Sequence, residues 1–490
     1  MPLETDLYTS ADVRAMDATA IHALGGSGFD LMQRAAAAAW AHLRARWPQA
    51  ARIGLLCGPG NNGGDGYLMG VCARTAGLDV TAMALTPESL GEAARARQAF
   101  LAAGGKITVA TPQMSLPAVD VWVDALFGSG FNRVASGLAA HLIEAVNTTA
   151  RPVLALDVPS GLDADRGVIT GPCVRADATV SLVAWKRGLF THHAGEVCGE
   201  RVLAGLDLPA AALASRAPDA ELLHAHSLPP RPRASHKGDF GHVLVLGGEA
   251  GFGGAVRLAG EAALRTGAGL VSVATRAVHV APLLAARPEL MLHAVESAAD
   301  VLPVLARAGV LLSGPGLGQG VWGRVLFDLT LDAQRPLVLD ADGLNWLAQT
   351  PRAFSGQPVV LTPHPGEAAR LLGCDVKTVQ QDRFAAVREL AQAYAATVVL
   401  KGAGTLIATP DGRVRVCPWG NPGMASGGMG DVLSGIIAGL LAQGLSPFAA
   451  ACVGVGVHAR AGDLAARVGE RGLLAADLFP YLRELLNDPT

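Results

Sequence analysis

Short apolar runs punctuate the first half of the chain at residues 52–57, 80–85, 121–126 and 153–156, and between them the apolar positions recur at helical spacing. Runs that are apolar on both faces predict strands of a parallel sheet covered by helices on each side. The alternation stops between residues 209 and 234. There an alanine-rich stretch gives way to Leu228-Pro229-Pro230-Arg231-Pro232-Arg233, which continues neither a helix nor a central strand. Apolar runs then resume at 243–246, 270–274, 310–313, 337–339, 359–361 and 398–400. The pattern predicts an α/β chain of two domains, residues 1–218 and 219–490, each binding ligands beyond the carboxyl ends of its strands. Residues 432–457 carry no charge and are long enough to span a bilayer. Gly444, Ser446 and Pro447 cut them in two, which predicts a buried helical pair instead of a membrane span.

A chain of 490 residues exceeds one ordinary core, which agrees with two domains. Its formal net charge of −3 and the absence of a basic run argue against a nucleic-acid partner, so an anionic ligand must be held by local devices. The seven cysteines form no CxxC pair or Cys/His cluster, which predicts reduced thiols and a cytoplasmic protein. The first residues lack the basic start and apolar core of a secretion signal.

Candidate chemistry gathers where strands are expected to end. Gly58-Pro59-Gly60-Asn61-Asn62-Gly63-Gly64-Asp65-Gly66 follows the first strand and precedes a helix expected near Tyr67, an arrangement suited to phosphate. No Lys-Ser/Thr follows, so Walker-type ATP binding is unsupported. Asp124-Ala125-Leu126-Phe127-Gly128-Ser129-Gly130 and Leu156-Asp157-Val158-Pro159-Ser160-Gly161 place carboxylates at two further strand ends. If Asn62, Asp124 and Ser160 converge, their oxygens with one full negative charge suit a hard, weakly charged cation better than zinc. Asp157 is then free for acid/base work; the alternative is that both aspartates only satisfy loop N–H groups.

In the second half, Asn421-Pro422-Gly423-Met424-Ala425-Ser426-Gly427-Gly428-Met429-Gly430-Asp431 aims a glycine turn and one carboxylate at the start of an apolar helix. Helix N–H groups attract an anion, and an aspartate beside phosphate needs a task, such as accepting a proton from an attacking hydroxyl. The alternative is a plain helix cap. Gly318, Gly320 and Gly323 match GxGxxG only weakly, because Gly314-Pro315-Gly316 separates them from their strand. His364 precedes Pro365 and Glu367, a helix-start pattern that leaves capping and substrate contact both open. Lys401 is a phosphate partner or a solvated surface residue.

The three motifs of the first half resemble NAD(P)H-hydrate epimerase. That resemblance implies a Rossmann-like sandwich in which Asn61, Asn62, Gly63, Gly64 and Asp65 bind the substrate together with Gly128, Ser129, Gly130, Phe131, Asn132, Arg133 and Val134. It further implies potassium on Asn62, Asp124 and Ser160, and a catalytic Asp157 at the nicotinamide. The second half, with Thr362-Pro363-His364-Pro365-Gly366-Glu367 and Lys401-Gly402-Ala403-Gly404-Thr405, is similar to the ribokinase-like ADP- or ATP-dependent NAD(P)H-hydrate dehydratases. Here Ala255, Gly316 and His364 are expected to meet the hydrated nucleotide, and Asp431 to be catalytic. Lys401, Gly402, Ala403, Gly404, Thr405 and Gly430 are expected to meet ADP, with magnesium. The substrates expected by resemblance are NADHX and NADPHX, with no membrane partner and a homo-oligomeric state. Two other classes stay open: a ribokinase-like small-molecule kinase, and a non-catalytic nucleotide-binding module.

Overall fold

A strand apolar on both faces needs a helical layer on each side, and the central strands in both halves of the chain have one. The computed structural model describes residues 4–23, 25–225 and 228–487; residues 1–3, the start of the segment read for a secretion signal, lie outside them. The chain divides into two units, Met1–Glu221 and Leu222–Thr490.

The first unit contains β1 (Asp6–Tyr8), β2 (Arg52–Cys57), β3 (Asp79–Ala84), β4 (Lys106–Val109), β5 (Val121–Ala125) and β6 (Val153–Leu156). It continues with β7 (Ala178–Leu182), β8 (Trp185–Lys186) and β9 (Glu200–Ala204), and the unit boundary falls within β10 (Ala220–Leu222). Its main sheet runs β4-β3-β2-β5-β6-β7-β9, parallel throughout. Successive residues of β2 feed opposite layers. Leu55 joins the cluster containing Leu43 and Met69, while Leu56 joins Trp122, Leu142 and Ile143. The strand order reverses between β2 and β5, which opens the crevice where α/β sheets bind ligands.

The second unit contains β11 (His242–Leu246), β12 (Leu270–Thr275), β13 (Met291–Ala294), β14 (Val310–Ser313) and β15 (Leu337–Leu339). It also contains β16 (Val359–Leu361), β17 (Thr397–Leu400), β18 (Leu406–Ala408) and β19 (Val414–Val416). They run β13-β12-β11-β14-β15-β16-β17-β18-β19, parallel as far as β17 and antiparallel beyond it. The reversal falls between β11 and β14. The charge-free stretch forms two helices, Met429–Ala442 and Pro447–Ala465, broken at Gly444, whose φ is +91°. Among the described residues no helix is long and apolar enough to cross a membrane.

One expectation needs correction. The helix expected near Tyr67 starts at Asn61 and runs to Thr75, so the turn is only Gly58-Pro59-Gly60 and the glycines from Gly63 on are already helical. Its glycines serve close packing. A Cβ on Gly63 would lie 2.0 Å from the Gly58 carbonyl oxygen, and one on Gly66 2.6 Å from Ala125 Cβ.

Candidate active sites

In the first unit the helix Asn61–Thr75 starts directly beyond β2, and Gly64 N–H donates to Gly60 O at 3.1 Å. The N–H groups of Asn61, Asn62 and Gly63 come earlier than the first intrahelical acceptor, so they are free for an anion. Asn62 is buried, yet neither its Oδ1 nor its Nδ2 has a hydrogen-bond partner. A buried amide without partners is costly unless a ligand satisfies it. Asp124 is fully buried: Oδ1 accepts from Ser160 Oγ at 2.7 Å and Oδ2 from Ser160 N–H at 2.7 Å. Burial pushes its carboxyl up to about 6 despite these bonds.

Asp157 stands just past β6 with φ +67°, a left-handed conformation that costs a non-glycine residue energy. Its Oδ2 accepts from Ser129 N–H at 2.7 Å, and its Oδ1 pairs with the ammonium of Lys186. Lys186 is itself fully buried and also donates to Leu182 O at 2.6 Å. Burial pushes the Asp157 carboxyl upward, but Lys186 and the Ser129 N–H outweigh it and hold the group below its ordinary value. Asp65 is raised well above the carboxylate range by burial and by the charges of Asp157 and Asp17. Asp17, raised to about 6 mainly by burial, has an unpartnered Oδ1. A Cβ on Gly128 would be 2.8 Å from Asp157 Oδ2 and 3.5 Å from Asn62 Cβ, so this loop lies between them.

The structure thus brings Asn62, Gly63, Gly64, Asp65, Asp124, Gly128, Ser129, Asp157 and Ser160 to one strand edge. Gly130, Asn132, Arg133 and Val134 lie on the exposed part of the loop, where Phe131 stacks on Phe127 at 4.0 Å between ring centres; Asn61 is exposed at the helix start. Sequence reasoning missed Lys186 and Asp17. A lone lysine after Ala184-Trp185 carries no signal of burial.

In the second unit, Asp340, Thr362 and Lys401 directly follow β15, β16 and β17. Lys401 Nζ lies 2.8 Å from Asp340 Oδ1 and 3.8 Å from Glu367 Oε2, largely shielded from solvent. Lys401 is therefore a buried charge hub; the surface-residue reading is wrong. Burial raises the Asp340 carboxyl, but Lys401 outweighs it and draws the group below its ordinary value. Glu367 is raised to about 7, first by burial. A Cβ on Gly430 would stand 3.3 Å from Lys401 Nζ and 3.5 Å from Asp340 Oδ2, which places the glycine loop on this hub. Gly428, φ +88°, caps the helix Met429–Ala442, and Asp431 sits in its first turn. Burial and the Asp340 charge push the Asp431 carboxyl up to about 7, with Lys401 opposing.

His364 caps the helix Pro365–Leu372. Its Nδ1 accepts from Gly366 N–H at 3.0 Å, and Glu367 Oε2 accepts from His364 N–H at 2.8 Å. The capping alternative is therefore realised, and the ring stays half-exposed beside the hub. Gly316, φ +56°, packs against Phe252 and Ala255. The residues 401–405 turn over Arg383, a buried guanidinium that donates to the carbonyls of Leu400, Lys401 and Gly404; sequence reasoning missed it too. Of the weak GxGxxG match, Gly318 N–H donates to Asp342 at 2.8 Å, and the nearby Asp340 is committed to Lys401.

The fold and sites define an enzyme of two α/β domains: a parallel-sheet domain with a buried carboxylate and lysine pair, followed by a ribokinase-like domain whose glycine loop meets a carboxylate of near-neutral pKa. The family described as YjeF-related protein N-terminus matches residues 28–188, and the family described as NAD(P)H-hydrate dehydratase matches residues 243–484. The bifunctional NAD(P)H-hydrate repair enzyme Nnr of Coxiella burnetii is 48% identical over 490 residues, covering 99% of this chain and 100% of the relative. The enzyme of that name from Escherichia coli is 44% identical, covering 98% and 94%. The ADP/ATP-dependent NAD(P)H-hydrate dehydratase of Bacillus subtilis, co-crystallised with ATP/Mg2+, is 32% identical with a TM-score of 0.47, covering 53% of this chain and 93% of that one. The chain belongs to the bifunctional NAD(P)H-hydrate repair enzyme family, with its epimerase domain ahead of its dehydratase domain.

Proposed function

We propose that residues 1–218 interconvert the R and S forms of NADHX and NADPHX, and that residues 219–490 dehydrate the S form to NAD(P)H while converting ADP to AMP and phosphate. The observation that carries the second activity is Asp431, a carboxyl raised to about 7 at a helix start and beside a lysine. A base poised near the working pH is matched to proton abstraction. Asp431 takes the proton of the hydrate's hydroxyl as its oxygen attacks the terminal phosphoryl group of ADP. The P–O bond to AMP breaks, and the N–H groups of the glycine loop face the developing charge. The phosphate ester then leaves as inorganic phosphate and a ring proton is lost, which restores the dihydropyridine. Lys401 to Thr405 and Gly430 hold ADP, while Ala255, Gly316 and His364 line the hydrate.

Magnesium, a hard cation, would come with the nucleotide and neutralise phosphate charge, since the Lys401 ammonium already lies between the carboxylates of Asp340 and Glu367. In the first domain the unpartnered Asn62 oxygen with Asp124 and Ser160 fits potassium. Asp157, ionised by Lys186, is the group that handles the proton at the hydrated carbon. The reading includes a cytoplasmic location and a homo-oligomer.

The test supplies pure S-hydrate with ADP and magnesium and counts products. One NADH, one AMP and one phosphate per turnover are expected. A stable phosphorylated nucleotide would instead make this domain a kinase.

A further inference from the structure

In the loop before Asp431, Met424 N–H donates to Asn421 O and Ala425 N–H to Pro422 O, both at 3.1 Å, and Ser426 Oγ donates to Leu473 O at 3.1 Å, bonds that lie ahead of Gly427 and Gly428. The loop's N–H groups would have to be aimed from outside, and one helix meets the loop at both ends and in the middle. At the loop's start, Asp463 on the helix Pro447–Ala465 accepts from Gly420 N–H at 3.0 Å and from Asn421 Nδ2 at 2.9 Å. Asn421 Oδ1 passes this hold on to Gly423 N–H at 3.0 Å. In the middle, Gly462 packs so tightly on Met424 that a Cβ there would lie 2.4 Å from its Sδ. At the loop's end, the buried imidazole of His458 lies beside the main chain of Met429, the first residue of the helix that carries Asp431. Positions 458 and 462 lie four residues apart on one helical face, and Asp463 follows at the next position.

We propose that the helix Pro447–Ala465 is the template that aims the anion-holding loop, with His458 and Asp463 as its positioning residues. The inference rests on the reading of that loop as the site of phosphoryl charge. Burial pushes the His458 imidazole down to about 4, so this side chain is neutral in the working range. Neither residue is in the catalytic set, since each acts through the loop.

The test compares the full-length wild type with His458→Phe, His458→Gln and Asp463→Ala. If the clamp aims the loop, His458→Phe and Asp463→Ala lower the dehydration kcat by about 10- to 100-fold, a misplacement effect, while the KM for S-hydrate stays within about threefold. His458→Gln keeps an amide able to reach the main chain and regains most of the rate. Hydrogen exchange is followed in parallel. In the damaged variants residues 420–430 exchange faster while the first unit keeps wild-type protection, which separates a loosened loop from a misfolded chain. Wild-type kcat in both damaged variants, an effect confined to KM, or unchanged exchange in residues 420–430 would overturn the proposal. A wild type that dehydrates nothing would overturn the functional reading instead, and the exchange measurement would still decide the clamp.

Discussion

Replacing Asp431 with asparagine should move activity and stability in opposite directions. The carboxyl lies among Asp340, Glu367 and Lys401, and it is raised from an ordinary 3.8 to about 7, first by burial and then by the Asp340 charge. As a base it acts only when ionised, so wild-type dehydration falls along an acid limb centred near pH 7 and is roughly tenfold down at pH 6. Asp431→Asn removes the base, and the chemical step slows by about 10²- to 10⁴-fold, or about 3 to 5 kcal/mol of barrier. For stability the sign is reversed. A raised folded-state pKa makes the carboxyl's contribution fully present below 3.8 and lost as pH rises through about 7, where an ionised group is left half-buried among like charges. That rise corresponds to about 4 kcal/mol in a dry site and about 2 kcal/mol after solvent screening. Asparagine escapes this loss. The variant should match the wild type in thermal unfolding at pH 4 and exceed it at pH 8, while single-turnover dehydration loses both its rate and its acid limb. A variant with wild-type single-turnover rate and an intact acid limb would refute the assignment of Asp431 as the base.

Three further outcomes follow from the first domain. Asp157→Asn should abolish epimerisation, followed by chiral separation of the hydrates, and leave dehydration of the S form intact; equal loss of both would contradict the division of labour. Lys186→Met leaves the Asp157 carboxylate buried without its cation, so it should cost about 3–5 kcal/mol of stability and shift the acid limb of epimerisation to higher pH. An unchanged limb would mean that the lysine does not set the ionisation. Asn62→Ala removes a buried amide without partners and should raise the potassium concentration needed for epimerisation by roughly tenfold, about 1.4 kcal/mol; unaltered potassium dependence would exclude Asn62 as a ligand.

The centre of each sheet was legible because β2, β5, β6, β11, β14, β15 and β16 are apolar on both faces. The rims were not. Ala178–Leu182 is interrupted by Thr179 and Ser181, whose hydroxyls are buried on the carbonyls of Cys198 and Ala184, contacts that no sequence period announces. The hairpin of β18 and β19 did carry a signal, Asp411-Gly412 with Gly412 at φ +91°, but its strands are only three residues long. At the sites, short motifs pointed to Asp124 and Asp157 at strand ends and to Asp431 at a helix start. Lys186, Arg383 and His458 were invisible because each works through burial, and a single lysine, arginine or histidine in a sequence does not say which way it faces. The glycines after β2 read as a turn because a helix interior normally avoids glycine. Here close approach to Gly58 and Ala125 overrides that preference.

The central claim, two successive activities in one chain, is tested most directly by giving the purified protein a mixture of R- and S-hydrates of NADH with ADP, magnesium and potassium, and following reduced-nicotinamide absorbance to completion. The account predicts full recovery of both epimers, dependent on ADP. Recovery that stops at the S fraction would contradict the epimerase, and none with either ADP or ATP would contradict the dehydratase.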